Sequence, residues 1–453
     1  MNTTRLQAIT GEGVRQLIYL KTMKKIIAIT NTAKLIFFCT VAGAAAGLVL
    51  WVFLRVIYLG TELIWYIVPD VLNEQSAMPI WYPPAVCTAG GLIIGLFRKK
   101  FGDYPQSMMQ VLGTVKQTGT YPYDKIAVVM IAAILPLVFG SSVGPEAGMV
   151  GAIVALGCWV NDNLKHAGRN AALYSRIGMA VSLSILFYSP LFGFFSAAEE
   201  DDENILSGGD SSGKGNRILI YGIAISAALG VMMLLNMLFG RTSGGLPRFE
   251  EVSLTAGDLA MGIPYLLAGM ILGWIFIKTE LLFGLIAGHV PAVVKETAAG
   301  LILGASITLV PALAFSGEEQ IGVLIQSYDE YLPVAILALG LAKVLLTNMC
   351  IQLGLKGGHF FPMIFAAVCL GFGIALLLFP GSVAHAAFGA AVVTAGTMGV
   401  LLRKPLAATC LLLLCFPMKA VPCIFIAAVI ASSVTKALSC GGEDEKTEDI
   451  SEE

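Results

Sequence analysis

Two glycine- and proline-rich interruptions stand inside apolar segments of this 453-residue chain. One is Gly140-Ser141-Ser142-Val143-Gly144-Pro145-Glu146, and the other is Gly357-Gly358-His359-Phe360-Phe361-Pro362. Glycine permits a tight backbone approach, and proline suits the first turn of a new helix, where its missing N–H is no loss. The free N–H groups and the positive dipole end of a starting helix favour negative charge. The natural ligand of such a site is an anion.

The polar side chains at the first interruption have more than one interpretation. Ser142 is a candidate N-cap for the helix that follows. Glu146 lies three residues after Val143, on roughly the same helix face. It is either a displaced gate or proton carrier, as an ionisable residue inside a membrane suggests, or a first-turn glutamate that complements the helix dipole.

Two further side chains could carry chemistry. Asp103, in the polar turn Gly102-Asp103-Tyr104-Pro105, lies either in an anion path, where its charge would oppose the anion, or caps the short helix after the proline. His359 is either a group that titrates near neutral pH or a packing residue. Nine cysteines, mostly in apolar runs and without metal-ligand spacing, are interpreted as packing residues, so we predict no metal and no other cofactor.

The elements that must position these residues are membrane helices. The chain is 57% hydrophobic and 13% charged, with a mean hydropathy of +0.82, whereas soluble domains carry about 25% charged residues. Apolar stretches of about 20 residues recur along the chain. The composition predicts an all-α, multi-pass integral membrane protein and gives no basic patch for nucleic acid. The basic N-terminus has no early apolar stretch or cleavage site of a signal peptide, which predicts a cytoplasmic N-terminus in a plasma (inner) membrane.

The two interruptions divide the chain into related halves. We predict a cytoplasmic segment over 1–32, a first membrane half over 33–241, a second over 242–437, and an acidic, disordered tail over 438–453. Non-helical backbone in lipid survives only where it is buried in protein or lines a cavity. Matching interruptions in two halves are typical of inverted repeats whose half-helix ends bind a transported ligand.

Five landmarks, in order, give the chain a resemblance to a known family. They are Gly90-Gly91-Leu92-Ile93-Ile94-Gly95-Leu96, Ser142-Val143-Gly144-Pro145, Ser189-Pro190-Leu191-Phe192-Gly193 running into Glu199-Glu200, Phe315-Ser316-Gly317, and Gly357-Gly358-His359-Phe360-Phe361-Pro362-Met363. The chain resembles the CLC chloride channel and transporter family over about residues 34–437. The resemblance implies an inverted-repeat fold with broken and re-entrant helices, and a homodimer with one pore per subunit. It also implies a small inorganic anion, chloride or similar, held by backbone N–H groups.

The resemblance also implies the site residues. The anion path would include Gly102, Asp103, Tyr104, Ser142, Val143, Gly144, Gly358, His359, Phe360, Phe361 and Phe416. The phenylalanines are otherwise ordinary packing residues. Glu200 matches the internal proton-transfer glutamate of the family, or is a solvated acidic helix end.

Three departures from the family pattern bear on mechanism. Val143 stands where the family has a gating glutamate, Asp103 stands in the motif that carries the filter serine, and Phe416 follows the segment after which a pore tyrosine is expected. These departures favour passive flow of the anion. The alternative is a proton-coupled chloride or fluoride antiporter in which Glu146 is a displaced gate.

Two rival classes are less well supported. Gly140–Gly144 matches the GxSxG pattern of serine hydrolases, but it lies between two apolar helices and the four histidines form no recognisable triad, so we predict that the protein is not an enzyme. A transporter of organic anions or metal cations would also bind its ligand at interrupted helices. A cation carrier should place carboxylates in the interruptions, where only Asp103, Glu146 and Glu318-Glu319 qualify.

Overall fold

The computed structural model describes residues 36–72, 78–118, 121–163, 171–206, 214–240, 246–250, 254, 256–413 and 415–451. The predicted cytoplasmic segment 1–32 lies outside these residues. The predicted boundary between the halves, at residue 241, also falls outside them and stays a prediction.

All regular elements of the described residues are helical. The first part of the chain contains α1 (Ile36–Leu72), α2 (Tyr82–Phe101), α3 (Met108–Thr118), α4 (Ile126–Val138), α5 (Glu146–Asn163), α6 (Ala171–Leu186), α7 (Pro190–Leu206) and α8 (Lys214–Phe239). The second part contains α9 (Ala256–Ala260), α10 (Gly262–Ala287), α11 (Ala292–Leu309), α12 (Glu318–Ser327), α13 (Pro333–Gln352), α14 (Phe360–Leu378), α15 (Val383–Leu402), α16 (Pro405–Leu412) and α17 (Val421–Ser451). Eight helices within the described ranges are long and apolar enough to cross a membrane. The prediction of an all-α, multi-pass membrane protein is confirmed.

The centre of the molecule is formed by α14 and α15. In the most apolar 18-residue windows of these helices, 72% and 89% of the residues are buried, against 22% for α8. A helix that is apolar on every side is expected in such a central position. The start of α14 is therefore enclosed by protein, as irregular backbone at membrane depth requires.

The end of α4 is fixed by an aromatic side chain. Trp65 is buried and donates from Nε1 to the Val138 carbonyl at 3.0 Å. Gly140 follows with a positive φ of 81°, and a Cβ there would collide with the Trp65 ring. Only glycine turns the chain away from α4 at this point without strain.

Close backbone contact joins α2 to α11. A Cβ on Gly91 would meet the Glu296 carbonyl, and a Cβ on Gly300 would meet that of Cys87. Small residues at such positions let membrane helices approach closely. This packing brings Arg98, near the end of α2, to Glu296 of α11.

The acidic tail differs from the prediction. α17 continues to Ser451, so the backbone of 438–451 is helical where disorder was expected. Glutamate and lysine are good helix formers, and no proline follows Leu438 to stop the helix.

Candidate functional site

The two glycine-rich interruptions meet each other. The Gly144 N–H donates to the Gly358 carbonyl at 2.8 Å, and the Gly358 N–H donates to the Gly144 carbonyl at 2.7 Å. This pair forms an isolated antiparallel bridge. The starts of α5 and α14, more than 200 residues apart in the sequence, therefore lie at one place.

The carboxylate of Glu146 lies over this bridge. Glu146 is 5% exposed, and its Oε1 accepts a hydrogen bond from the Phe360 N–H at 2.6 Å. Its Oε2 has no hydrogen-bond partner among the described residues. A Cβ on Gly144 or on Gly358 would overlap the carboxylate. The two glycines are therefore required so that the side chain of Glu146 can reach α14.

The N-terminus of α14 is thus occupied by the side-chain carboxyl group of Glu146. The Met363 N–H bonds to the His359 carbonyl, Pro362 has no N–H, and the Phe361 N–H has no acceptor within the described ranges. A free N–H and the positive dipole end together make an anion site. A small anion could take the place of the carboxylate if Glu146 moved away.

Aromatic rings surround this helix start. The ring of Phe187 stacks on Phe361 with centroids 4.4 Å apart, and the His359 ring lies 4.9 Å from Phe360 and 5.0 Å from Phe276. Phe187, Phe360 and Phe361 are buried. The rings keep water away from the Phe360 amide, and the position of His359 between two rings supports its packing interpretation. Phe187 was missed because nothing in its local sequence marks it.

Ser142 is not the N-cap of α5. That helix begins at Glu146, four residues after Ser142, whose hydroxyl lies 3.4 Å from that of Thr347 in α13. Val143 is fully buried, and a Cβ on Gly357 would collide with its side chain. Val143 therefore packs the first interruption against the second, and Ser142 packs it against α13.

A cavity of about 500 Å³ reaches the first interruption from one side. Its walls include Ser141, Val143 and Pro145, together with Phe315 and three acidic residues, Glu62, Glu318 and Glu319. The cavity leads to Val143.

A buried lysine holds the loop that borders this cavity. Lys343 of α13 is fully buried and donates from Nζ to the carbonyls of Leu313 at 3.1 Å, Ala314 at 3.2 Å and Phe315 at 2.7 Å. The Phe315 N–H in turn donates to the Gly140 carbonyl at 3.2 Å. The loop before α12 is thereby tied to the first interruption.

Asp103 joins the end of α2 to the second interruption. One carboxylate oxygen contacts Arg98, and the other accepts from Lys356 Nζ at 2.7 Å. Arg98 also contacts Glu296, whose side chain is fully buried. Partial burial raises the pKa of Asp103, but the hydrogen bond and charge of Lys356 and the charge of Arg98 outweigh it and hold that pKa below its ordinary value.

The cap interpretation of Asp103 is wrong, because another residue caps α3. Ser107 Oγ accepts from the Gln110 N–H at 3.3 Å, and Gln110 Oε1 accepts from the Ser107 N–H at 2.9 Å. This reciprocal pair is a capping box. The charge of Asp103 is neutralised by two cations and does not stand alone in an anion path.

The resemblance implied that backbone N–H groups of the turn after α2 bind an anion, but two of these groups bond within the turn itself. The Gly102 N–H donates to the Arg98 carbonyl at 2.9 Å, and the Tyr104 N–H donates to the Gly102 carbonyl at 3.0 Å. The Tyr104 ring lies 5.7 Å from the Lys125 ammonium. Both amides are therefore used within the turn.

Phe416 packs in an aromatic cluster. Its ring stacks on Phe249 at 4.5 Å, and Phe249 lies 5.9 Å from Phe372 of α14. The place of Phe416 on an anion path stays a prediction.

Glu199 of α7, next to the predicted Glu200, contacts the start of another helix. Its two carboxylate oxygens accept from the N–H groups of Leu406 and Ala407, each at 3.0 Å, at the start of α16. The backbone of Glu200 lies in α7, but its side chain is outside the described part of the chain. Glu146 and Glu199 thus place first-half carboxylates on second-half helix starts.

Comparison with known proteins supplies a family. The sequence profile described as Voltage gated chloride channel matches residues 90–436. Curated relatives in Escherichia coli and Escherichia fergusonii carry the name "Putative ion-transport protein YfeO". Each is 23% identical over 338 residues, which covers 73% of this chain and 76% of the relative.

Solved structures share the fold. A slow cyanobacterial Cl⁻/H⁺ antiporter superposes with a TM-score of 0.73 at 18% identity, covering 89% of this chain and 94% of that one. A CLC-type fluoride/proton antiporter gives 0.66 at 20% identity, covering 89% and 96%. A eukaryotic CLC transporter gives 0.64 at 19% identity, covering 89% and 72%. At these identities the likeness confirms the predicted CLC-like fold with its inverted repeats.

Proposed function

This chain belongs to the voltage-gated chloride channel family, and from this we propose that it transports a small inorganic anion, chloride or similar, across a membrane. The path would run from the cavity at Val143, past the Gly144–Gly358 bridge, to the ion pairs of Asp103. We further propose a homodimer with one path per subunit, in a plasma membrane with the N-terminus in the cytoplasm.

One observation carries the proposal. The Glu146 carboxylate, 5% exposed, accepts the hydrogen bond of the Phe360 N–H at 2.6 Å. A carboxyl oxygen at a helix N-terminus supports an anion site there, since backbone N–H groups and the helix dipole both favour an anion at that place. In this proposal Glu146 closes the path and a transported anion replaces it when the path is open.

Passive flow is the version that we favour. The family resemblance implies a gating glutamate at the position before Gly144. In this chain the position is Val143, whose side chain carries neither charge nor proton. The side chain of Val143 is fully buried beside Gly357. Movement of Glu146 alone then opens the site, and the anion runs down its gradient.

Proton-coupled exchange is the second candidate, and the position of Glu146 favours it. A carboxylate that leaves the Phe360 amide to admit an anion would be stabilised away from that amide by taking up a proton. Each cycle could then move a proton in one direction and anions in the other. Two solved structures of this fold are antiporters by name, for Cl⁻/H⁺ and fluoride/proton.

Reconstitution distinguishes the two versions. Vesicles containing the purified protein are loaded with chloride or with fluoride, and anion efflux and internal pH are followed together. Passive flow predicts efflux that requires a potassium ionophore to release the voltage and that moves no protons. Exchange predicts proton uptake driven by the anion gradient and lost in Glu146→Gln, with Glu330→Gln, at an exposed glutamate outside the cavity, as the control. Absence of efflux for every small anion tested would contradict anion transport itself.

A further inference from the structure

A second place that could hold an anion lies at the end of α2. The carboxylate of Asp103 lies between two cations, Arg98 on one oxygen and Lys356 on the other, the latter at 2.7 Å. The Asp103 side chain is 64% exposed, whereas those of Arg98 and Lys356 are 10% and 21% exposed. The cations are thus fixed in the protein while the carboxylate that joins them faces outward.

The charges of this cluster favour an anion once Asp103 is absent. Arg98 is shared with Glu296, whose side chain is fully buried, so this carboxylate stays in place. Lys295 is close enough to act electrostatically on both Glu296 and Lys356. Three cations then face one buried carboxylate, and removal of Asp103 leaves a surplus of positive charge. Such surplus charge at a partly buried site attracts small anions.

The cluster adjoins the bridge between the interruptions. Lys356 precedes Gly358 by two residues, and two residues span at most about 7 Å. The backbone of Lys356 therefore lies beside the bridge, while its ammonium group, at the end of the side chain, contacts Asp103. The cluster and the bridge thus share one segment of the chain.

We propose that Arg98 and Lys356 form an anion-binding site that Asp103 occupies in this structure and that an inorganic anion such as chloride occupies when Asp103 swings outward. The site is made of side-chain cations, unlike the backbone site at Phe360. Asp103 is an internal competitor that keeps the cation pair neutral between transport events. This site deepens the proposed function, because it would supply anions to the path, but binding at it can be measured without transport.

Equilibrium dialysis with radioactive chloride tests the site on the detergent-purified full chain. Asp103→Asn keeps the shape of the side chain and removes its charge, and we expect chloride to bind roughly tenfold more tightly, because a charged competitor for Lys356 is lost. Asp124→Asn, a substitution at an exposed aspartate in another turn, is the matched control and should leave binding unchanged.

The double variant makes the assignment specific. If the new affinity depends on Lys356, the gain of Asp103→Asn disappears in Asp103→Asn/Lys356→Met but persists in Asp103→Asn/Lys278→Met, which removes an exposed lysine elsewhere. Loss of the gain only with Lys356→Met supports the site. No gain in Asp103→Asn, or a gain that survives Lys356→Met, overturns it. A gain in binding without vesicle efflux would leave this site standing and contradict the proposed function alone.

Discussion

Substitution of Glu146 by glutamine is expected to strengthen anion binding at the start of α14. Glutamine has nearly the same shape, and its side-chain carbonyl can still accept from the Phe360 N–H, which Glu146 now does at 2.6 Å. What is lost is the negative charge that competes with a bound anion. The two glycines beneath the carboxylate, Gly144 and Gly358, leave room for the substituted side chain.

The magnitude follows from the strength of the competing bond. A hydrogen bond to a charged group contributes about 1.5–3 kcal/mol, against about 0.5–1.5 kcal/mol for a neutral one, so the competitor weakens by about 1–1.5 kcal/mol. Because about 1.4 kcal/mol corresponds to a factor of ten, the apparent dissociation constant should fall roughly tenfold. Loss of repulsion between the carboxylate and a nearby anion acts in the same direction.

Calorimetric titration of the purified protein with chloride and with fluoride measures this effect. Glu330→Gln is the control, because Glu330 is an exposed glutamate that lines neither the cavity nor the bridge. The control should leave the affinity near that of the unsubstituted protein. Equal or weaker anion binding in Glu146→Gln would refute the competition between Glu146 and the anion.

Four further predictions follow from the same contacts. Gly358→Ala should displace the Glu146 carboxylate, which a Cβ would overlap, and lower the unfolding temperature in detergent, whereas Gly222→Ala, with open space around it, should not. Lys343→Met should leave three carbonyls without their donor and lower the free energy of unfolding by about 3 kcal/mol. Denaturation measures this loss against Lys278→Met, a control at an exposed lysine. Equal stability of the two variants would contradict the prediction. Val143→Glu should slow efflux from vesicles by placing a second carboxylate beside the bridge; unchanged efflux would show that Val143 does not border the path. The pKa of Asp103 is held low, so its ion pairs are complete above its ordinary pKa of 3.8 and are lost only as the pH falls through the lower folded value. The difference in chloride binding between Asp103→Asn and the unsubstituted protein should therefore stay constant between about pH 5 and about pH 8. A difference that shrinks within that range would contradict the low pKa.

The sequence predicted the helix starts at both interruptions, because glycine and proline act through local backbone geometry. It did not predict that Gly144 and Gly358 bond to each other, since that pairing depends on how the two halves dock. The same limit applies to Glu146. Its position in the first turn of α5 suggested a dipole or gate role, but the N–H that it binds belongs to α14, 214 residues further on.

Asp103 shows which partners the local sequence reveals. Arg98 lies five residues before Asp103, in the basic last turn of α2. Its pairing with Asp103 could therefore have been inferred from the sequence. Lys356 is 253 residues away, so no local pattern marks it. Phe416 was placed by family resemblance alone, and its stacking on Phe249 is another long-range contact that no local pattern marks.

The central claim is that a transported anion and the Glu146 carboxylate compete for the N-terminus of α14. Bromide scatters anomalously and stands in for chloride, so diffraction from bromide-soaked crystals of Glu146→Gln would locate the anion. The account predicts a bromide peak within hydrogen-bonding distance of the Phe360 N–H in the variant, and a weaker peak or none in the unsubstituted protein. A variant that conducts anions in vesicles but shows no bromide at that amide would contradict it.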